Sequence, residues 1–353
     1  MKWVRLPSSL MAKTSDSCLP PQAVVLVTGA NGFIASHIID KLLKAGYIVR
    51  GTVRSPEKQK WLQDGFDAAY GKGRFELCPV LDITAPNAFD EVVKGVSAVA
   101  HVANVDSVSD DPKVIEQTVK GALNAISSCE KEPSVKRFVY TSSLAALYIP
   151  KPNQLLNIDE STYNYPAVTA ASEPPTPGQN RHFINHCAAK TRGELAIWDW
   201  VREHQPSFGV NSVLPGFVLG RVLDPSHQGY PTTSATTVAL HKGKLSPEMN
   251  FLLGPSLYID VEDCALLHVA ALTLPDVESQ RIFAMARHTN GKEIVQELRY
   301  LFPDHEYPDA PDVECDRSDV PPIDKAEALL KRLGYPGWTT LREAIRRNMV
   351  EFA

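Results

Sequence analysis

No apolar run in the chain approaches the roughly 18 residues that a membrane-spanning helix needs, so the reading predicts no membrane partner. The six cysteines (Cys18, Cys78, Cys129, Cys187, Cys264 and Cys315) contain no Cys-x-x-Cys pair and no Cys/His ligand spacing. That pattern excludes a zinc ribbon or disulfide framework and points to reduced thiols, with no metal. Charge of neither sign dominates: 36 basic against 41 acidic residues give a net charge of -5, without a long run of one sign. Nucleic acid is therefore not an expected partner. The first ten residues, Met1 to Leu10, are basic but lack the apolar stretch of a signal peptide. The reading predicts a flexible N-terminal arm over 1–20, with Met11 as an alternative start, and a cytoplasmic protein.

What is present is ordinary for a folded globular protein. The 353 residues are 44% hydrophobic, enough for a sizeable core and about two structural units. The run Ala23 to Val27 is β-branched and ends at Thr28-Gly29, the profile of a buried parallel strand. An amphipathic helix follows, carrying Ile34, Ile38, Leu42 and Leu43 and stopping at Gly46. Strands are expected at 47–53, 75–80, 98–102 and 137–141, with helices at 56–63, 88–94 and 113–129 between them. This alternation predicts an α/β fold, a Rossmann-type doubly wound parallel sheet over 21–216, with a smaller C-terminal substrate-binding region over 217–353. Residues 150–181 are rich in Pro, Asn, Ser and Thr and are read as a lid. Beyond it the pattern predicts helices at 182–204, near 235–241 and at 261–272, 291–301, 325–333 and 341–350, and strands at 210–214 and 281–286. Residues 217–258 are otherwise read as irregular.

The strand-to-helix segment Thr28, Gly29, Ala30, Asn31, Gly32, Phe33, Ile34, Ala35 has the chemistry of a dinucleotide turn. Gly29 permits the turn, Gly32 lets backbone approach a pyrophosphate, Ala35 allows close packing, and the helix N-terminus offers unpaired N–H groups. NAD sites place an acidic residue at the end of the second strand, but none occurs between Lys41 and Pro56. Arg50 and Arg54 stand there instead, and a guanidinium suits a 2′-phosphate. The expected cofactor is NADP(H), with Arg54 the better placed arginine and Asp82-Ile83 bordering the adenine. The competing reading makes both arginines ordinary solvated charge.

Together with Thr141-Ser142-Ser143 after the fifth strand and Lys190 on the next long helix, these segments resemble the extended short-chain dehydrogenases/reductases. More narrowly the chain is similar to NADPH-dependent fungal aldehyde and ketone reductases related to plant dihydroflavonol reductases. The likeness runs from about Cys18 to the C-terminus and includes Val49 to Arg54, Pro133 to Val139, Leu214-Pro215-Gly216 and Tyr258 to Asp263. The resemblance implies that Ser143, with Ser142 as alternate, binds a carbonyl oxygen and that Lys190 holds the nicotinamide ribose. It also places Val102, Ala103, Thr141, Pro215, Gly216 and Val218 beside the cofactor.

One departure matters. The family's proton donor is a tyrosine four residues before the lysine, and here that position is His186. Residues four apart share a helix face, so His186 and Lys190 point the same way. The positive charge of Lys190 should hold the imidazole neutral at pH 7. His101 is read as structural or at the cofactor's edge, and Tyr163, Tyr165, His182 and Phe183 as residues that can touch substrate. The site then supports three readings: an NADPH-dependent reductase of a hydrophobic carbonyl compound, a non-redox cyclase, isomerase or dehydratase using His186 as acid/base, or a non-catalytic cofactor-binding regulator. The first is preferred, as an enzyme of secondary metabolism and a monomer or weak homo-oligomer.

Overall fold

The computed structural model describes residues 17–105, 109–175, 180–231, 233–245 and 247–352. Seven parallel strands form the large sheet: β1 (Val24–Val27), β2 (Ile48–Val53), β3 (Phe75–Pro79), β4 (Ala98–His101), β5 (Arg137–Thr141), β6 (Gly209–Pro215) and β9 (Arg281–Ala284). Their order is β3-β2-β1-β4-β5-β6-β9, so the chain reverses direction across the sheet between β1 and β4. In open α/β sheets that switch point opens a crevice at the carboxyl ends of the strands.

The helices that cover the sheet follow from buried apolar stripes. On one face pack α1 (Phe33–Lys44), α2 (Lys60–Tyr70), α8 (Val261–Thr273) and α10 (Pro322–Arg332), burying Ile38, Leu42, Phe66, Leu267 and Leu330 in one cluster. On the other lie α3 (Lys113–Glu130) and α5 (Arg181–His204), with Ile126, Ile197 and Trp200 among the buried residues. Phe89, Val92, Val93 and Val96 join this second cluster. They do so from a chain of turns, not from the helix expected over 88–94: the segment is held mostly by i→i−3 bonds, such as Asp90 N–H on the Asn87 carbonyl, with a lone i→i−4 bond from Val93 N–H to the Phe89 carbonyl, so no continuous α-helical ladder forms among the described residues.

The expected boundary at 216 marks where the chain leaves the large sheet, but the chain returns: β9 is its seventh strand, and α8 and α10 cover one face. Residues 217–258 are also more regular than expected. They hold β7 (Phe217–Leu219), α6 (Pro225–Gln228), α7 (Ser234–His241) and most of β8 (Ser256–Asp260). With β10 (Arg287–Thr289), β7 and β8 make a second, three-stranded sheet in the order β10-β8-β7. Its own core draws Phe217, Leu219, Val238, Tyr258 and Leu298, with α9 (Gly291–Leu301) and α11 (Leu341–Asn348) closing it.

Of the N-terminal arm, 1–16 lie outside the described residues. Its remainder is not loose: Leu19 is buried, Cys18 N–H donates to the Thr273 carbonyl at 2.8 Å, and Ser17 Oγ lies 2.8 Å from the Tyr47 hydroxyl. The lid segment likewise contains a helix, α4 (Tyr165–Ser172), capped by Asn164. Residues 153–158 run beside 315–319, with Asn153 N–H on the Cys315 carbonyl and Ile158 N–H on that of Asp319. Among the described residues no helix is long and apolar enough to cross a membrane, and no group of three or more His, Cys, Asp or Glu residues is arranged to hold a metal.

Candidate functional site

The turn from β1 to α1 is shaped for an anion. Gly29 has φ +68°, and a Cβ there would come within 3.1 Å of Ala103 Cα. Gly32 caps α1 in an extended conformation, with no side chain accepting from the helix N–H groups. The first amides of α1 and the positive end of its dipole are thus left for a ligand. Asn31 and Gly32 are exposed, while Ala30 N–H is fixed on the Thr52 carbonyl at 2.9 Å. Gly51 makes room for this: its Cβ would meet the Ala30 side chain at 2.7 Å. Phe33 and Ala35 are buried and anchor the helix, with Ile34 half-buried beside them.

Thr28, expected at the cofactor, is fully buried and has spent its hydroxyl. Thr28 Oγ1 accepts from Val102 N–H at 3.0 Å and from Ala103 N–H at 2.9 Å, and lies 3.1 Å from His101 Nδ1. Its role is to tie the ends of β1 and β4 together, so Val102 and Ala103 present their surfaces but not their N–H groups. His101 is buried against Phe89 and stacks with Phe138 and Tyr140. Burial, and then the charge of Lys190, push its pKa down to about 3, so it is a neutral structural histidine.

The two arginines of β2 separate. Arg50 is engaged by Glu76 and by the carbonyls of Val92 and Lys94 at 2.8 and 2.9 Å. Arg54 is exposed just beyond the strand, with no hydrogen-bond or ion-pair partner among the described residues. After β3, Asp82 is exposed and its carboxylate accepts from Thr84 N–H and Oγ1 at 2.8 and 2.7 Å. Ile83 packs toward Gly121 on α3. Leu81, which sequence reasoning did not single out, is 80% exposed.

At the end of β5 the groups implied by the resemblance converge. Lys190 is buried on α5 and its Nζ donates to the Thr141 carbonyl at 3.2 Å, two residues before Ser143. Ser143 is partly exposed and its Oγ accepts from Ala145 N–H at 3.1 Å, leaving the hydroxyl proton to donate. Ser142, the alternate, is buried and donates to Glu194 Oε2 at 2.7 Å, which removes it from the site. His186 is half-buried one turn before Lys190. Burial first and the Lys190 charge second lower its pKa to about 4, so it is neutral at pH 7. Burial, only partly offset by Glu194, lowers Lys190 to about 8.

The remaining expected residues scatter. Pro215 ends β6, and Val218 is buried in β7 beside Ile259. Gly216 is dictated by the second sheet, because a Cβ would lie 2.1 Å from the Leu257 carbonyl oxygen. Tyr163 stacks on the Arg281 guanidinium at 3.9 Å. It lines a cleft of about 650 Å³ with Trp198, Arg202, Gln280 and Lys325 at the start of β9, not at the strands' carboxyl ends. Tyr165 neighbours Tyr163, His182 pairs with Asp110 at 3.3 Å, and Phe183 packs on Phe251.

An unforeseen contact comes from α6. Gln228 Nε2 donates to the Asn31 carbonyl and to Ser36 Oγ, both at 3.1 Å. The neighbouring His227 stacks on Trp61 of α2.

A turn with uncapped helix-end amides, an arginine beyond β2 without a partner among the described residues and a buried lysine beside a serine fit a nicotinamide dinucleotide. The model of the NAD dependent epimerase/dehydratase family matches residues 25–286. The chain is 39% identical to aldehyde reductase 2 of Sporidiobolus salmonicolor over 339 residues, covering 95% of this chain and 98% of that one. It is 40% identical to a ketoreductase of Aspergillus novofumigatus over 342 residues, again 95% and 98%. Among solved structures, yeast methylglyoxal/isovaleraldehyde reductase Gre2 complexed with NADPH superposes with a TM-score of 0.78 at 26% identity, covering 93% of this chain and 97% of that one. The chain therefore belongs to the NAD dependent epimerase/dehydratase family, the extended short-chain dehydrogenases/reductases.

Proposed function

We propose that the protein is an NADPH-dependent reductase acting on the carbonyl of a hydrophobic small molecule of secondary metabolism, with His186 standing where the family's tyrosine would be. The observation that carries this reading is Lys190 reaching the Thr141 carbonyl beside a partly exposed Ser143, at the carboxyl end of β5. The aldehyde and ketone reductases among its relatives support it. Arg54 would hold the 2′-phosphate, the α1 N-terminus the pyrophosphate, and Lys190 the nicotinamide ribose.

NADPH supplies the hydride. Ser143 donates its hydroxyl proton to the carbonyl oxygen as a hydrogen bond and thereby polarises the carbonyl. As negative charge develops on that oxygen it needs a proton. A neutral imidazole is a poor acid, so His186 gives up its N–H proton effectively only while its other nitrogen takes one. Lys190, on the same helix face and protonated at pH 7 with a pKa of about 8, is the nearby charged donor. Proton delivery is thus slower than through a phenol.

The missing tyrosine supports a second reading, a non-redox cyclisation, isomerisation or dehydration with His186 as base. Against it stands the pKa of about 4, which makes His186 a weak base. Incubation with NADPH and a panel of apolar aldehydes and ketones, isovaleraldehyde included, separates the two when cofactor oxidation and product mass are followed together. Reduction consumes NADPH and adds two hydrogens, whereas isomerisation does neither. His186→Tyr should raise the reduction rate about 10²-fold, the low end of general-acid contributions, while His186→Ala should not. A native reaction abolished by the tyrosine rejects the reductase reading, and one insensitive to both changes makes His186 a bystander.

A further inference from the structure

One turn beyond Lys190, Glu194 is fully buried within the large sheet's helical cover. Both carboxylate oxygens are saturated. Oε2 accepts from Ser142 Oγ at 2.7 Å and Arg281 Nη2 at 3.0 Å, and Oε1 from Ser212 Oγ at 2.6 Å and Arg281 Nε at 2.8 Å. The guanidinium is held in turn: Nη1 donates to the Glu160 and Thr162 carbonyls at 2.8 and 2.7 Å, and Tyr163 lies on its face. A full set of donors, with a bidentate guanidinium among them, is the condition under which a carboxylate stays charged in a core.

Two consequences follow for the reaction site. Ser142 lies between Thr141, whose carbonyl receives Lys190, and Ser143, so the Glu194 bond fixes the strand end that carries both. The carboxylate is also the anion that faces the Lys190 ammonium. The other titratable groups around that ammonium, His186 on α5 and His101 on β4, are both neutral. Tyr140 of β5 and Tyr163 face Glu194 itself, and their phenols are held protonated by burial.

We propose that Glu194, braced by Arg281, is a positioning residue that keeps Lys190 charged and holds the Thr141–Ser143 strand end in register for the bound cofactor. Burial alone would drive the lysine toward its neutral form, and Glu194 is the charge that opposes this. A cationic Lys190 is what both the anionic cofactor and proton delivery require. The inference rests on the cofactor reading above, but it can fail separately.

The test is NADPH binding to the full-length protein, followed by fluorescence between about pH 6 and 10. In the wild type the affinity should weaken with a bend near pH 8, where Lys190 loses its proton, and Lys190→Met should remove the bend. In Glu194→Gln the bend should fall by about one pH unit, because loss of the opposing charge favours the neutral amine. Glu194→Asp, which keeps the charge, should restore it. Should the buried guanidinium left unpaired prevent Glu194→Gln from folding, Glu194→Met with Arg281→Met removes both charges at similar volume and should shift the bend in the same direction. A wild-type protein that does not bind NADPH defeats the cofactor reading. A wild type that binds NADPH but shows no Lys190-dependent bend, or a bend unmoved in every charge-removing variant that folds, overturns the role of Glu194.

Discussion

At the nucleotide end of the sheet, polar groups are left unspent; around the reaction end they are nearly all spent on one another. The α1 N-terminus has no side-chain cap and Arg54 has no partner among the described residues. At the end of β5, by contrast, Ser142 and Ser212 serve Glu194, and Glu194 serves Arg281. The contrast separates two jobs. Under the proposed reading, the nucleotide end receives several negative charges and its donors wait for a ligand, whereas the polar atoms around Glu194 saturate each other and hold still the strand end that carries Ser143 and receives Lys190.

Two glycines break the comparison most sharply. At Gly216 the obstacle to a side chain is the Leu257 backbone oxygen, 2.1 Å from the added Cβ. Gly216→Ala should therefore cost about 3 kcal/mol or more of stability in urea unfolding, the upper range of overpacking. At Gly32 the added Cβ would meet the Gly29 oxygen at 3.1 Å, and φ is an ordinary -75°. Gly32→Ala should leave stability within about 1 kcal/mol and be read in weaker NADPH binding. Equal unfolding midpoints for the two variants would show that the approach to the Leu257 backbone does not require glycine at 216.

Arg54 tests whether the unspent donors have the assigned purpose. Arg54→Ala should cost about 1.5–3 kcal/mol of NADPH binding, the scale of a charge-assisted hydrogen bond, and leave NADH binding nearly unchanged. Arg50→Ala should alter stability through lost contacts to Glu76 and the 92–94 turn without changing the preference between the nucleotides. Calorimetry that finds equal wild-type affinity for NADPH and NADH would remove the 2′-phosphate from the account.

The uneven use of polar groups also explains what could be read from sequence. Strand-helix alternation made the large sheet legible, because buried parallel strands and amphipathic helices carry local patterns. The second sheet was not, since β7 follows β6 and β10 follows β9 with no helix between them, outside the alternation that marked the large sheet. The turn expected at Gly29 and Gly32 was legible because its glycines answer to local geometry. Which of Ser142 and Ser143, or of Arg50 and Arg54, is free depends on Glu194 and Glu76, partners 52 and 26 residues away. Nothing in the neighbouring sequence announces them.

A contact between segments far apart in sequence braces the nucleotide end and supplies the smallest expected effect. Gln228 lies 197 residues from Asn31 in sequence, yet its amide bridges the Asn31 carbonyl and Ser36 Oγ, spanning the start of α1 beside the exposed Asn31 and Gly32. Its segment is stiffened by Asp224, which accepts from Ser226 and His227 N–H, and by His227 stacked on Trp61 at 5.0 Å with the rings only 7° from parallel. A pyrophosphate on the α1 amides would lie beside this bridge, so the C-terminal region braces the turn against opening. Gln228→Ala removes two neutral hydrogen bonds at a half-exposed site, worth about 1 kcal/mol between them. The NADPH off-rate in stopped flow should rise about fivefold, the rate equivalent of that energy, with the melting temperature almost unmoved. An unchanged off-rate would show that the bridge only decorates the turn; a fall in melting temperature with no kinetic change would make it a fold contact, and the nucleotide end would then stand free of the C-terminal region.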